Sequence, residues 1–252
     1  MKAILLHHGS KWNMAKKIIE HFPPHRIYVE PFCGSCSVLM TKEKSFVEVI
    51  NDSDEVIVNI FKSLRDHPLE LLAKIWATPY AKANFKKLDE CLIEQSVMAI
   101  AQAKQFYIGN QNTSTFSIDT TSRPHGPKPN VWSAWHERVL PACARLKTVQ
   151  ILNEDALATI KRFYQNPEAL IYIDPPYVGH EKEYKKTVDY DALIEIIAEA
   201  KCHIVISEFE KGNSFWPNEY KRIVIKTVGR SGSGAHKKTK INNEFLIIKD
   251  AI

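Results

Sequence analysis

Asp174-Pro175-Pro176-Tyr177 sets an acid, two rigid residues and an aromatic ring in one short turn. Proline has no N–H, so the backbone here offers acceptors only. The Asp174 carboxylate and the Pro175 carbonyl can each take one N–H from an amino group on a flat substrate. The Tyr177 ring supplies a face on which such a substrate stacks, as a base does when it is turned out of its helix. Accepting both hydrogens draws the amine from its flat conjugated form toward a pyramid, and its lone pair becomes available to attack a methyl group. The competing account is a Pro-Pro strand stop with an incidental acid.

A second constellation lies upstream. In "VEPFCGSCSVLM", residues 29–40, an apolar strand ends in Glu30 and a turn of small residues leads into a helix. Small residues allow close backbone approach, and a helix start offers unpaired N–H groups. Gly34 is the only glycine in this turn, so the G-x-G-x-x-G dinucleotide fingerprint is absent. Asp52 follows the next strand, where an acid in this architecture takes the hydroxyls of a ribose. An N-cap is the alternative for an acid within "NDSDE". Together the two features favour an adenosine-bearing ligand without a pyrophosphate. Cys33 and Cys36 lack a second Cys pair or a His pair at zinc spacing, so no metal is expected.

These residues need strands to hold them. "RIYVEPF", "SFVEVIND", "TVQIL", "ALIYI", "HIVIS", "RIVIKTV" and "EFLIIK" read as strands from their β-branched apolar runs. "WNMAKKIIEHF" and "DEVIVNIFKSLRDHP" have helical spacing. The opening order is that of a doubly wound α/β sheet. Residues 68–77, 81–108 and 131–146 have helical patterns, separated by a polar stretch at 109–130 rich in Ser, Thr, Asn and Pro. The expected fold is α/β, a Rossmann-like sheet, mostly parallel with an antiparallel C-terminal strand, plus a mainly helical insert. The expected division is 1–67 (first part of the core), 68–146 (insert) and 147–252 (second part of the core).

The 252 residues, 44% hydrophobic and 25% charged, suit a globular α/β protein. No apolar run reaches the length of a membrane span, and Ala3–Leu6 is too short for the core of a secretion signal. Five cysteines at irregular spacing do not form a disulfide framework, and a cytoplasmic setting is expected. The net charge is +5, yet Glu219 to Lys240 alone carries seven Lys and Arg against one acid. A positive field concentrated in one segment fits a polyanion partner.

Five segments in order resemble the Dam-type DNA adenine-N6 methyltransferases. "GSKWNMAKKI" resembles that family's N-terminal GGK segment, "YVEPFCGSCSVL" its cofactor loop, and "VINDSDEVIVNIF" its strand-two acid motif. "DPPY" resembles its catalytic signature, and "GRSGSGAHKKTKINNEFLI" its basic loop and last strand.

The resemblance implies a class I methyltransferase sheet and S-adenosyl-L-methionine as cofactor. It implies Asp174, Pro175, Pro176 and Tyr177 as the catalytic set. It places His7, Lys11, Glu30, Phe32, Cys33, Gly34, Asp52, Asp155 and Asp174 around the cofactor. Double-stranded DNA is the implied partner, held by Arg123, Lys128, Arg230, Lys237, Lys238 and Lys240, with 68–146 reading sequence. The implied activity is site-specific methylation of adenine N6 with base flipping, of the restriction-modification kind, by a monomer or weak dimer. Three positions depart from the family pattern: His7 where a Trp is common, Cys36 for the second loop glycine, and no GATC-type signature in 109–130. Amino methyl transfer to cytosine N4, RNA or a protein glutamine stays open, as does a DNA-binding relative without catalysis.

Overall fold

The computed structural model describes residues 4–5, 10–81, 92–108, 114–116, 128–176, 188–209, 212–230 and 240–251. His7, Arg123, Tyr177, Lys237 and Lys238 lie outside them, and the side chains of Lys128, Arg230 and Lys240 are likewise not described.

The first core half contains α1 (Ala15–Ile19), β1 (Ile27–Glu30), α2 (Ser37–Thr41), β2 (Val47–Asn51) and α3 (Glu55–Asp66). The insert follows with α4 (Pro68–Ala77), α5 (Leu92–Gln105), β3 (Phe106–Ile108), β4 (Ser114–Phe116), α6 (Lys128–Ser133) and α7 (Val139–Leu146). The second half holds β5 (Gln150–Leu152), α8 (Ala156–Phe163), β6 (Ala169–Ile173), α9 (Tyr190–Ala198), β7 (His203–Phe209), β8 (Lys221–Arg230) and β9 (Lys240–Lys249).

Two sequence expectations are corrected here. The helical pattern over 81–108 ends at Gln105, and Phe106–Ile108 pairs antiparallel with Ser114–Phe116 inside the expected loop. Phe, Tyr and Ile in succession suit a strand as well as a helix, so periodicity over so short a run does not decide. The expected helix 12–22 shrinks to one five-residue piece, Ala15–Ile19, before Pro23-Pro24.

Seven strands form one sheet in the order β5-β2-β1-β6-β7-β9-β8. β9 runs antiparallel to both neighbours; the pairs β5–β2, β2–β1, β1–β6 and β6–β7 are parallel. The strand order reverses between β1 and β6. In such sheets the crevice beyond the carboxyl ends at the reversal is where ligands bind. Val29 stands opposite Ile171, so the ends of β1 and β6 are level, and Glu30 and Asp174 emerge there.

β6 is buried along its whole length, as a strand covered on both faces must be. Its side chains alternate between two clusters. Leu170 and Tyr172 join Ile57, Phe61 and Leu64 of α3 on one face. Ala169, Ile171 and Ile173 join Ile160 of α8 and Leu193 and Ile197 of α9 on the other. Each buried Ile or Leu of this kind contributes about 1.5–3 kcal/mol. The acid just past the end of β6 is thereby carried on a strand buried on both faces.

The insert helices bury Leu71, Ile75, Val97, Ile100, Trp135, Val139 and Leu146 in the same cluster as α3. Polar stitches reinforce the packing. The hydroxyls of Ser63 and Ser96 lie 2.9 Å apart, and Asn59 donates to Gln95 Oε1 at 2.7 Å. Arg145 of α7 reaches Glu48 of β2 with both terminal nitrogens, at 2.5 and 2.8 Å. Among the described residues no helix is long and apolar enough to cross a membrane.

Candidate active site

The turn after β1 is shaped by two left-handed residues. Gly34 has φ 44° and Cys36 has φ 53°. The Cys36 N–H donates to the Cys33 carbonyl at 2.5 Å, closing the turn, and Cys36 then enters α2. A glycine takes this conformation freely; for cysteine it costs about 1–2 kcal/mol. The position where the family pattern has glycine is thus one whose backbone favours it. Cys33 and Cys36 are buried free thiols, and burial pushes both pKa values up. That leaves them protonated packing groups, not nucleophiles.

Asp52 ends β2 beside this turn. Its Oδ2 accepts the Gly34 N–H at 2.9 Å, and its Oδ1 accepts the Asp54 N–H at 2.8 Å. The N-cap of α3 is Asp54, which takes the Val56 N–H. The capping account of "NDSDE" therefore belongs to Asp54 and leaves Asp52 to shape the turn. Asn51, which sequence reading missed, joins three strand ends. Its Nδ2 donates to the carbonyls of Pro31 (3.0 Å) and Glu154 (3.1 Å), and its Oδ1 accepts the Glu154 N–H. A polar residue closing an apolar strand was the only signal.

Glu30 is buried, with its Oε2 accepting from the Tyr28 hydroxyl at 3.0 Å and the Leu39 N–H at 3.2 Å. Burial pushes its pKa up to about 8, against the two hydrogen bonds that favour the carboxylate. Phe32 is half-buried against the α8–α9 face. Asp155 is exposed and caps α8 by accepting the Ala158 N–H.

Asp174 stands just past β6, its side chain 19% exposed. The Lys11 ammonium lies 2.8 Å from Asp174 Oδ1 and 3.4 Å from Glu244 Oε1, with Lys11 and Glu244 each 4% exposed. Burial alone would discharge Lys11, yet the two carboxylates hold its pKa above the ordinary lysine value. Pro175 is buried and Pro176 half-buried. The Pro176 carbonyl accepts from the Tyr190 hydroxyl at 2.7 Å, which ties the turn to α9.

Glu208, at the end of β7, is fully buried. Burial raises its pKa to about 7, partly offset by the Phe209 N–H, and Asp174 raises it further. Sequence reading missed Glu208 and Glu244 as well. Each is a single acid within an apolar strand, a signal weighed there only as strand pattern.

The structure thus brings Lys11, Glu30 and Asp174 to the sheet's reversal point, with Gly34 and Asp52 forming the adjoining turn. Lys128 opens α6, away from the core strands in sequence. Arg230 and Lys240 are register partners at the end of the β8–β9 hairpin.

The family model of the D12 class N6 adenine-specific DNA methyltransferases matches residues 7–242. The chain belongs to this family. Its match spans both halves of the core and the insert between them, and the seven-stranded sheet agrees with a Rossmann-like methyltransferase. The protein is accordingly an enzyme of DNA adenine methylation.

Proposed function

We propose that the protein is a site-specific methyltransferase that uses S-adenosyl-L-methionine to methylate adenine N6 in double-stranded DNA. The observation that carries this reading is the placement of Asp174. It is a partly exposed carboxylate at the sheet's reversal point, ion-paired to a buried lysine, beside a turn suited to a nucleoside.

The residues present fit the cofactor. The left-handed turn at Gly34 and Cys36 lets backbone approach a ligand closely, and Asp52 is fixed at its edge while Asp54 takes over the capping. Glu30, Phe32, Cys33 and Gly34 would line the methionine end, Asp52 the ribose and Asp155 the adenine edge. His7, at the place where the family often has Trp, would be a further cofactor contact. S-adenosyl-L-methionine, when bound, supplies a methyl group activated on a sulfonium.

The chain's own part is to prepare the amine. Lys11 holds Asp174 in place by its ion pair, and Asp174 with the Pro175 carbonyl accepts the two N–H groups of adenine N6. The two prolines and the Tyr190 hydrogen bond to Pro176 keep those acceptors rigid. Tyr177 offers the stacking face for the flipped base. The proton on the methylated nitrogen leaves to solvent afterward, so no strongly basic side chain is needed.

Lys237, Lys238, Lys240 and Arg230 in the β8–β9 region would hold phosphates, with Arg123 and Lys128 as further DNA contacts. The residues of 68–146 would read sequence. The test is methyl transfer to DNA, RNA and protein substrates followed by mapping of the modified atom. N6-methyladenine in DNA is expected. Methyl found on cytosine N4, on RNA or on glutamine would overturn the reading.

A further inference from the structure

Glu244 is the acid that the rest of the site leaves unexplained. On β9 the side chains alternate: Leu246 and Ile248 face the cluster of α1, α2 and α3, and Ile247 the opposite one. Glu244 is in phase with Leu246 and Ile248. A carboxylate on that buried face is costly unless it is paired. Lys226 stands across the β8–β9 ladder from Glu244, past the irregularity between Val224 and Lys226. Lys226 is exposed, whereas Glu244 turns inward to Lys11, at the other end of the chain.

One ammonium is therefore shared by two carboxylates. Of its three N–H donors, one serves Asp174 and one Glu244. A lysine held by Asp174 alone could swing onto both of that residue's oxygens, in competition with the amine of a target base. Glu244 gives the ammonium a second anchor while it lies 2.8 Å from Asp174 Oδ1.

We propose that Glu244 is a positioning residue for methyl transfer: it anchors Lys11 so that the ammonium and the Asp174 carboxylate keep the placement in which Asp174 meets the adenine amine. This rests on the reading of Asp174 as an amine acceptor. The other ionisable groups around the trio are Glu30, Tyr172 and Glu208, each of which feels the Asp174 charge. Tyr172 also feels Glu244, and burial holds its pKa well above the ordinary tyrosine value. Glu30 and Glu208, at about 8 and about 7, titrate in all three enzymes, so only a difference between the variants reports on Lys11.

The experiment is single-turnover methyl transfer to an adenine-containing duplex, over a range of about pH 6 to 10.5, up to the ordinary lysine pKa. It compares wild type, Glu244→Gln and Glu244→Asp, with cofactor and DNA affinities measured alongside. Glu244→Gln should lower the rate at least about tenfold with both affinities within about threefold, the pattern of a diminished transition-state contribution. Its alkaline limb, which in wild type lies above that range because Asp174 and Glu244 raise the Lys11 pKa, should move down into it, since Lys11 loses one of the anions that hold its proton. Glu244→Asp keeps the charge but draws it back by one methylene; an intermediate rate and a nearly wild-type limb are expected.

Wild-type rate and pH profile in both variants would overturn the proposal. If Glu244→Gln does not fold, Glu244→Asp decides alone: an intermediate rate supports the anchor, and a wild-type rate removes it. A wild-type enzyme that leaves DNA adenine unmethylated would instead remove the underlying reading of Asp174, whatever the variants do.

Discussion

Asp52 Oδ2 accepts the backbone N–H of Gly34 at 2.9 Å, so the end of β2 holds the turn that follows β1. One acid then shapes the turn proposed to hold the cofactor and borders it. Asp52→Asn keeps the volume but puts N–H donors where acceptors are needed. We expect cofactor affinity to fall by about tenfold or more, the order of one charge-assisted hydrogen bond. Titration calorimetry with S-adenosyl-L-methionine measures it, and an unchanged affinity would show that Asp52 serves the turn alone.

Cys36 is the one described non-glycine residue with positive φ. Cys36→Gly relieves a left-handed cost of about 1–2 kcal/mol but removes a buried thiol, so the net change in stability should stay within about 1 kcal/mol. Cys36→Val puts a β-branched side chain at the same φ and should cost more than about 2 kcal/mol. Denaturant unfolding of the two variants separates backbone strain from packing.

Arg145 and Glu48 join the last insert helix to β2. Burial alone would raise the Glu48 pKa, but hydrogen bonds from Arg145 and Lys42 bring it below the ordinary value. The stability this supplies is present above the ordinary carboxylate pKa and lost as pH falls through the lowered one. Arg145→Ala should cost about 3–5 kcal/mol, as expected when one partner of a buried pair is removed. It should also flatten stability against pH on the acid side. Thermal unfolding from neutral to acid pH, on wild type and variant, reads both effects.

The basic residues between β8 and β9 should act through phosphates. Replacing Lys237, Lys238 and Lys240 by Ala should weaken binding to all duplexes alike. It should reduce the slope of log affinity against log salt by about 0.9 for each phosphate no longer neutralised. A slope equal to that of wild type would take these lysines out of the interface.

The sheet was legible because its strands are apolar and bounded by prolines, acids and small residues; "ALIYI" at 169–173 forms a strand over those same residues. The insert was harder. Phe106–Ile108 follows a helix with no Gly or Pro to end it, and only pairing with Ser114–Phe116 makes it a strand. In the site, Asp174 and Asp52 stood out because a motif or a spacing marks them. Glu244, Glu208 and Asn51 did not. The roles of Glu244 and Asn51 depend on partners distant in sequence, Lys11 for Glu244 and Pro31 and Glu154 for Asn51. A single acid in an apolar strand signals that some partner exists without saying which. Lys11 itself entered as a cofactor-binding residue; its ion pair with Asp174 is a fact of the fold.

The most direct test of the central claim is methyl transfer by Asp174→Ala, read as N6-methyladenine formed in DNA. Binding of S-adenosyl-L-methionine is checked in the same preparation. The account requires transfer to be lost while cofactor binding remains within about tenfold of wild type, because Asp174 acts on the amine in the transition state. N6-methyladenine formed by Asp174→Ala at the wild-type rate would contradict it.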